Sequence, residues 1–269
     1  MAKRKTSITN LDPVWDRVRN EAEDIVQREP ILGGTVHASV LHHDSLEESL
    51  SYRISLKLAS NDMPAQILYG LAKEAYAANP AIGQAARADL VAVFDRDPAC
   101  NFFVQPILFF KGYQALQGYR IGRWLWENGR RELAYYFQMR ISEVFGVDIH
   151  PGAKMGQGIM IDHAHSIVIG ETAAVGDNVS MLHSVTLGGT GKTDGDRHPK
   201  IENGVLIGAG AKVLGNIRVH FCSRIAAGSV VLRDVPPRKT VAGVPARIVG
   251  DTDCDQPSKT MDQLLREQC

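Results

Sequence analysis

The sequence predicts an α+β protein: an N-terminal α-helical domain, then a parallel β-helix of hexapeptide repeats with one extruded loop. Three observations lead to this reading. The first half of the chain divides into helix-length segments bounded by caps and prolines. From Val147 to Gly250, aliphatic residues return at every sixth position: Ile149, Met155, Ile161, Ile167, Val179 and Val185, then Ile207, Val213, Val219, Ile225 and Val231, with Ala173 in the one small slot. Between the two runs lies a polar, glycine-rich stretch, Gly188 to Pro199. A beat of six fits neither the helical period of 3.6 nor the alternation of a plain strand. It marks a coil in which each hexapeptide forms one short flat side and a turn. Three sides close a coil of eighteen residues, so residues eighteen apart stack at roughly 4.8 Å, the strand spacing. Ile149, Ile167 and Val185 are then expected to form one buried ladder, with Met155 over Ala173.

Taken in order, residues 1–10 are polar. A helix begins with good start chemistry, Asp12 as cap and Pro13 in the first turn. Leu11, Val14, Trp15, Val18, Ala22, Ile25 and Val26 share one face, and Pro30 with Gly33-Gly34 is expected to end it. Further helices are expected from about Ser45 to Ala59, Pro64 to Ala77, Ile82 to Phe94, Pro106 to Asn128 and Arg131 to Val144, with Asp95 to Pro98 as a break. Gly146 marks the change of period. Val185 to Ile207 spans one coil plus four residues, and the excess falls in the loop Gly188–Pro199. Val235 to Ile248 closes the β-helix. The polar end carries helical composition from Met261 to Gln268. The boundaries are 1–145 for a helical oligomerisation domain, 146–250 for the β-helix and 251–269 for a flexible tail.

Composition excludes several classes. Lys plus Arg equals 30 and Asp plus Glu equals 30, without the basic excess that a nucleic-acid or anionic-membrane partner requires. The basic start, Met1 to Lys5, is followed by no apolar run, so it does not read as a signal peptide. The most apolar segment, Phe102 to Phe110, is interrupted by Gln105 and Pro106 and falls far short of a membrane span. Cys100, Cys222, Cys254 and Cys269 have no paired spacing, which points to a cytoplasmic protein with free thiols. Gly-Thr-Gly-Lys-Thr in the loop lacks the first glycine and the following helix of a phosphate loop.

Several polar residues stand where a coil needs none. Asp148 and His150 flank Ile149, Asp162-His163 follows Ile161, and Arg197-His198 lies in the extruded loop. An imidazole is the commonest general base, and a carboxylate on its far nitrogen fixes tautomer and orientation. Asp148 with His163 is a candidate dyad, though their spacing of fifteen residues is three short of a full coil. Asp148 and Asp162 read equally as turn residues at corners. Arg197 can clamp a carboxylate or stand as a solvated loop charge. Asp97, before Pro98, is a binding carboxylate or a helix cap.

The segments Val147-Asp-Ile-His-Pro151, Ile161-Asp-His-Ala164, Thr186-Leu-Gly-Gly-Thr-Gly-Lys192, Gly195-Asp-Arg-His-Pro199 and Ala242-Gly-Val-Pro-Ala-Arg247, in this order after a helical domain, closely resemble bacterial serine acetyltransferases. The resemblance covers residues 11–250, whereas the hexapeptide beat alone marks a broader acyltransferase superfamily with a left-handed parallel β-helix. It implies transfer of an acetyl group from acetyl-CoA to L-serine, the first step of cysteine biosynthesis, with feedback inhibition by L-cysteine. By resemblance His163 is the base and Asp148 orients it. Asp97 and Asp162 hold the serine ammonium, and Arg197 binds the carboxylate with His198 close by. CoA lies in a groove between neighbouring β-helices of a trimer, past the small residues Gly189, Thr190, Ala209 and Ala227, with Arg224 and Arg247 at its phosphates. No metal is implied. Two trimers joined by the helical domains make a hexamer. Relatives that bind O-acetylserine sulfhydrylase end in isoleucine. This chain ends in Cys269, whose smaller apolar surface lowers the expected affinity by about 1–2 kcal/mol, so that complex is expected to be weak or absent.

His165 and His183 depart from the pattern. Eighteen apart, they are expected to stack. They raise a rival reading as a β-helical zinc hydratase, which needs a third ligand that the spacing does not supply. An acetyltransferase for a sugar or antibiotic, and a scaffold without activity, are further alternatives. The amino-acid clamp of Asp97 and Arg197 argues against the sugar or antibiotic acetyltransferase.

Overall fold

The computed structural model describes residues 12–191, 194–252 and 256–264. Helix α1 (Pro13–Arg28) starts as its sequence requires, with Asp12 accepting from the Trp15 backbone N–H at 3.1 Å. Beyond Pro30 the chain stays helical, through Pro30–Leu32, α2 (Gly33–Val36) and His37–Leu41. Helix α1 thus ends before Pro30 as expected, at the non-helical Glu29, and the glycine pair opens the next helix instead of following the last. Val36 and Val40 are fully buried there, and that burial outweighs the poor helix propensity of glycine. Ser45 caps α3 (Leu46–Leu58) through the Glu48 N–H at 3.2 Å. Helices α4 (Ala65–Ala78) and α5 (Pro80–Arg96) follow.

The single helix expected over 106–128 is two, α6 (Val104–Leu108) and α7 (Lys111–Glu127), with Phe110 extended between them at φ −94° and ψ 106°. The break has a tertiary cause. Arg53 donates to the Leu108 carbonyl at 2.7 Å, satisfying a terminal acceptor of α6. Helix α7 then restarts against the β-helix, where a Cβ on Gly112 would lie 2.1 Å from the Ile161 carbonyl oxygen. Helix α8 (Arg131–Phe145) ends on Gly146 at φ 70°, the left-handed cap that glycine accepts without strain.

Three parallel sheets wrap the coil. The first runs β1 (Val147–Ile149), β4 (Ile167–Ile169), β7 (Thr186–Gly188), β10 (Lys212–Leu214), β13 (Val230–Val231). The second runs β2 (Lys154–Met155), β5 (Ala174–Val175), β8 (Lys200–Ile201), β11 (Arg218–Val219). The third runs β3 (Met160–Ile161), β6 (Ser180–Met181), β9 (Leu206–Ile207), β12 (Arg224–Ile225), β14 (Lys239–Gly243), closed by the antiparallel β15 (Ala246–Asp251).

The register corrects the expected stacking. Ile149 pairs with Ile169, not Ile167, and Met155 with Val175, not Ala173. The ladders are Ile149–Ile169–Leu187–Val213–Val231, Met155–Val175–Ile201–Val219 and Ile161–Met181–Ile207–Ile225–Val241. Ile167, Ala173, Val179 and Val185 are buried too, but two positions ahead of the ladders. The first coil holds two extra residues at the corner Asp162–Ser166, where His163, Ala164 and Ser166 take φ of 56°, 51° and 54°. The extruded loop is also longer than counted. Ala174 pairs with Lys200, twenty-six residues on, so the loop adds eight residues to a coil of eighteen rather than four.

The helical region and the coil share one continuous hydrophobic core. Guanidinium groups join them. Asp89, fully buried, accepts from Arg120 at 2.7 Å and from the Ile159 N–H at 2.9 Å. Arg120 also donates to the Gly156 carbonyl, and Arg96 to the Gly158 carbonyl and Ser180. The tail expected to be flexible is packed where it is described. Helix α9 (Pro257–Thr260) precedes the segment of helical composition, Ser180 Oγ donates to the Ser258 carbonyl at 2.8 Å, and Met261 packs with Val93, Cys100 and Met160. Cys254 and Cys269 lie outside the described residues.

Candidate active site

The corner after the third sheet builds one edge of the site. Two positions beyond the second, third and fourth rungs of the Ile161 ladder stand His183, Ala209 and Ala227, and His163 lies in the wider corner that follows Ile161. Backbone bonds tie this corner together: Ser184 N–H to the His165 carbonyl, Gly210 N–H to His183 and Gly228 N–H to Ala209, at 2.6, 2.9 and 2.7 Å. By backbone His183 stacks on His165, as their spacing of eighteen predicts. The two extra residues lie before His165, and the ring that packs on His183 is that of His163, with centroids 5.7 Å apart and planes at 82°. The His165 side chain turns away, its Nδ1 2.9 Å from Lys111 Nζ.

A cavity of about 590 Å³ opens at this corner between α5, α7 and β3, lined by Asp97, Phe110, Lys111, Met160, Asp162 and His163 among others. Asp97 follows α5 and accepts from the Ala99 N–H at 2.8 Å. Asp162 follows β3, and its Oδ2 lies 3.6 Å from His163 Nε2. Burial pushes the Asp162 carboxyl up from its ordinary value, His163 opposes this, and the Asp97 charge adds to it. Two carboxylates facing one cavity favour a bound cation. The His163 side chain is 68% exposed, open to whatever enters.

Asp148, Arg197 and His198 stand elsewhere in the same chain, in a second cluster. Asp148 stacks on Val168, because a full coil of twenty residues carries it five positions past His163. Its Oδ1 accepts from Gln138 Nε2 of α8 at 2.7 Å. No hydrogen bond or ion pair joins it to His163 within this chain, so the candidate dyad is not formed in one subunit. Nearby, His150 accepts at Nδ1 from the Gly152 N–H and packs edge-on to Trp126 and Tyr135. Burial lowers the His150 pKa, against the pull of Glu171 and Asp148.

Arg197 pairs with Glu171 at 2.7 Å, which holds the Glu171 carboxyl below its usual range. Thr172 Oγ1 accepts from the Arg197 and His198 N–H groups at 3.0 and 3.1 Å, and lies 2.9 Å from His198 Nδ1. The Thr172 N–H also points at that nitrogen, so the His198 proton belongs on Nε2. Burial, then the Arg197 charge, lowers the His198 pKa. The ring lies over Gly170, where a Cβ would come within 2.1 Å of it. Sequence reasoning missed Glu171 and Thr172. The signal that finds them is a separation of twenty-six residues from Arg197 and His198, one coil including the loop, and it requires the correct loop length.

The residues expected to meet CoA are spread along the corner and its neighbours. Ala209 and Ala227 lie directly along the column of His183, whose ring packs on His163. Thr190 is exposed and packs beside Gly215, and Gly189 lies under Arg197. Arg247 is exposed. Arg224 is buried: it donates to Thr240 and to the Asp262 carbonyl, so the tail occupies it. Among the described residues, no group of three or more His, Cys, Asp or Glu side chains is placed to hold a metal ion. No described helix is long and apolar enough to cross a membrane.

Comparison with known proteins agrees with this geometry. Residues 14–118 match the family described as serine acetyltransferase, N-terminal. The chain is 54% identical over 257 residues to the serine acetyltransferase of Escherichia coli K12, covering 96% of this chain and 94% of that one. It superposes on the serine acetyltransferase of Brucella abortus in complex with coenzyme A with a TM-score of 0.89 at 53% identity, covering 91% and 98% of the two chains. It superposes on a serine acetyltransferase in complex with cysteine with a TM-score of 0.93 at 49% identity, covering 94% and 99%. With the helical region, the coil and the corner site all in place, the chain belongs to the serine acetyltransferase family.

Proposed function

We propose that the protein transfers the acetyl group of acetyl-CoA to the hydroxyl of L-serine by direct attack, with His163 as general base. The observation that carries this is the setting of His163: it shares a cavity with Asp97 and Asp162 and packs on His183, whose column continues in the small residues Ala209 and Ala227. The carboxylates suit the serine ammonium. The small side chains leave room for a pantetheine arm to reach the corner with its thioester at His163. The serine Oγ then attacks the thioester carbonyl carbon while its proton passes to His163. The tetrahedral adduct collapses with cleavage of the C–S bond, and the departing thiolate takes that proton back. The products are O-acetyl-L-serine and CoA, and His163 returns to its neutral form. L-Cysteine carries the same ammonium and carboxylate, so it competes for the serine subsite and acts as an inhibitor.

The remaining groups come from a neighbouring subunit. One chain holds the ammonium-binding carboxylates and the base at one corner, and Asp148, Arg197 and His198 in a separate cluster. Both halves are needed, since serine carries a carboxylate as well as an ammonium. Next to the second cluster, Tyr135 and Met139 of α8 and Val168 of β4 are exposed apolar residues, the kind of surface a partner covers. In a threefold assembly the first half of each subunit faces the second half of the next, and Asp148 meets His163 across the interface. Subunit mixing tests this. His163→Ala and Asp148→Asn proteins, each inactive alone, are co-expressed and mixed oligomers purified. Random assembly restores roughly a quarter of the sites, because a heterologous interface takes each half from a different chain. Mixed oligomers no more active than their parents would place the whole site within one chain.

A further inference from the structure

We infer that His183 is a positioning residue, an aromatic wall that sets the orientation of the His163 ring. The inference rests on the reading of His163 as the base. Within its own chain His163 has little else to fix it. Its side chain is largely exposed, and its nearest carboxylate oxygen within the chain, on Asp162, is 3.6 Å away, beyond hydrogen-bond length. Its backbone is held at φ 56°, in a corner that carries two further left-handed residues. That fixes where the side chain starts and leaves its torsions free. The one ring packed on it is His183, edge against face at 5.7 Å between centroids, a geometry that attracts aromatic pairs.

The environment of His183 suits this use and no proton-transfer use. Its Nδ1 is buried and has no hydrogen-bond partner. A buried N–H without an acceptor is among the costliest defects in a folded chain, whereas a bare lone pair is tolerated more readily. In the neutral ring the proton therefore sits on Nε2, with the bare lone pair at the sealed position. The two extra residues lie between Ile161 and His165, so His183 keeps His165 as its backbone neighbour while His163, in the widened corner, brings its ring against that of His183.

The test is a double-mutant cycle with turnover and Michaelis constants measured for both substrates. His183→Ala is expected to lower kcat on the order of tenfold or more, as a misaligned base does, with KM for serine and for acetyl-CoA within about twofold. His183→Phe keeps a ring without a titratable nitrogen and is expected to recover most of kcat. In a His163→Ala background, removal of the His183 ring is expected to cost nothing further. If His183→Ala does not fold, His183→Asn serves as the ring-removing variant. Unchanged kcat on removing the ring, a Phe variant as poor as Ala, or an undiminished loss in the His163→Ala background would each overturn the inference. Near-normal turnover of His163→Ala alone would instead remove the base reading on which it rests.

Discussion

Asp162 shows how much a single carboxyl depends on its surroundings. Burial and the neighbouring Asp97 raise its pKa, and His163 only partly offsets them. Its ionised form binds an ammonium, so serine binding is full above that pKa and fades as pH falls through it. Because the pKa is raised, the fading begins at a higher pH than an ordinary carboxylate would give. KM for serine should therefore climb on mild acidification. Asp162→Asn removes a charge-assisted hydrogen bond, which contributes about 1.5–3 kcal/mol. Serine KM should rise roughly ten- to a hundredfold at neutral pH and then lose its acid dependence. Steady-state kinetics from neutral pH downward, wild type beside variant, checks both statements. A serine KM in the variant equal to wild type would take Asp162 out of the ammonium subsite.

Helix α7 is the element on which the corner leans. It starts at Lys111, beside His165, and its next residue touches the Ile161 carbonyl so closely that only a hydrogen fits. The residues after Ile161 are Asp162 and His163, so the same contact that docks the helix sets the height of the site. Gly112→Ala forces the helix and strand apart. Overpacking of this kind costs about 1–3 kcal/mol, and the Ala variant should melt at lower temperature and lose turnover together with serine affinity. Thermal unfolding and kinetics on the same preparation test this. A Gly112→Ala protein with unchanged melting and kinetics would show that the helix yields without moving the corner.

At the scale of the molecule, the site proposed above, divided between two clusters, calls for more than one chain. The coil presents long, flat walls, and Val168 beside Asp148 is exposed on one of them. On the helical region Ile31 is 89% exposed and Ile67 is exposed as well, apolar surface that a second trimer would cover. We propose a hexamer, a dimer of trimers. Light scattering should give a particle of six chains, and a protein lacking residues 1–100 should form trimers at most. That truncation removes Asp97 and Asp89 as well, so its value lies in the particle mass and not in activity. A full-length monomer in solution would contradict both the hexamer and the shared site.

The architecture was legible in the sequence because it rests on local chemistry and on a period. Asp12, Pro13, Ser45 and Gly146 place helix ends by capping, and the beat of six requires a coil whatever surrounds it. The resemblance then pointed to His163, Asp162 and Asp97, and the fold brings those three to one cavity. Which residues stack was beyond the sequence. Both the ladder position and the position two before it are apolar, so a two-residue insertion at Asp162–Ser166 slides the count from one to the other without breaking the pattern. Only backbone pairing, which matches Ile149 to Ile169, decides between them. The same holds for His183 on His163, Glu171 on Arg197 and Thr172 on His198, since contacts between coils depend on the length of every turn between them. The division of Asp148 from His163 is a tertiary result of that kind: chain spacing fixes residues along a coil, whereas the length of the coil fixes which faces meet.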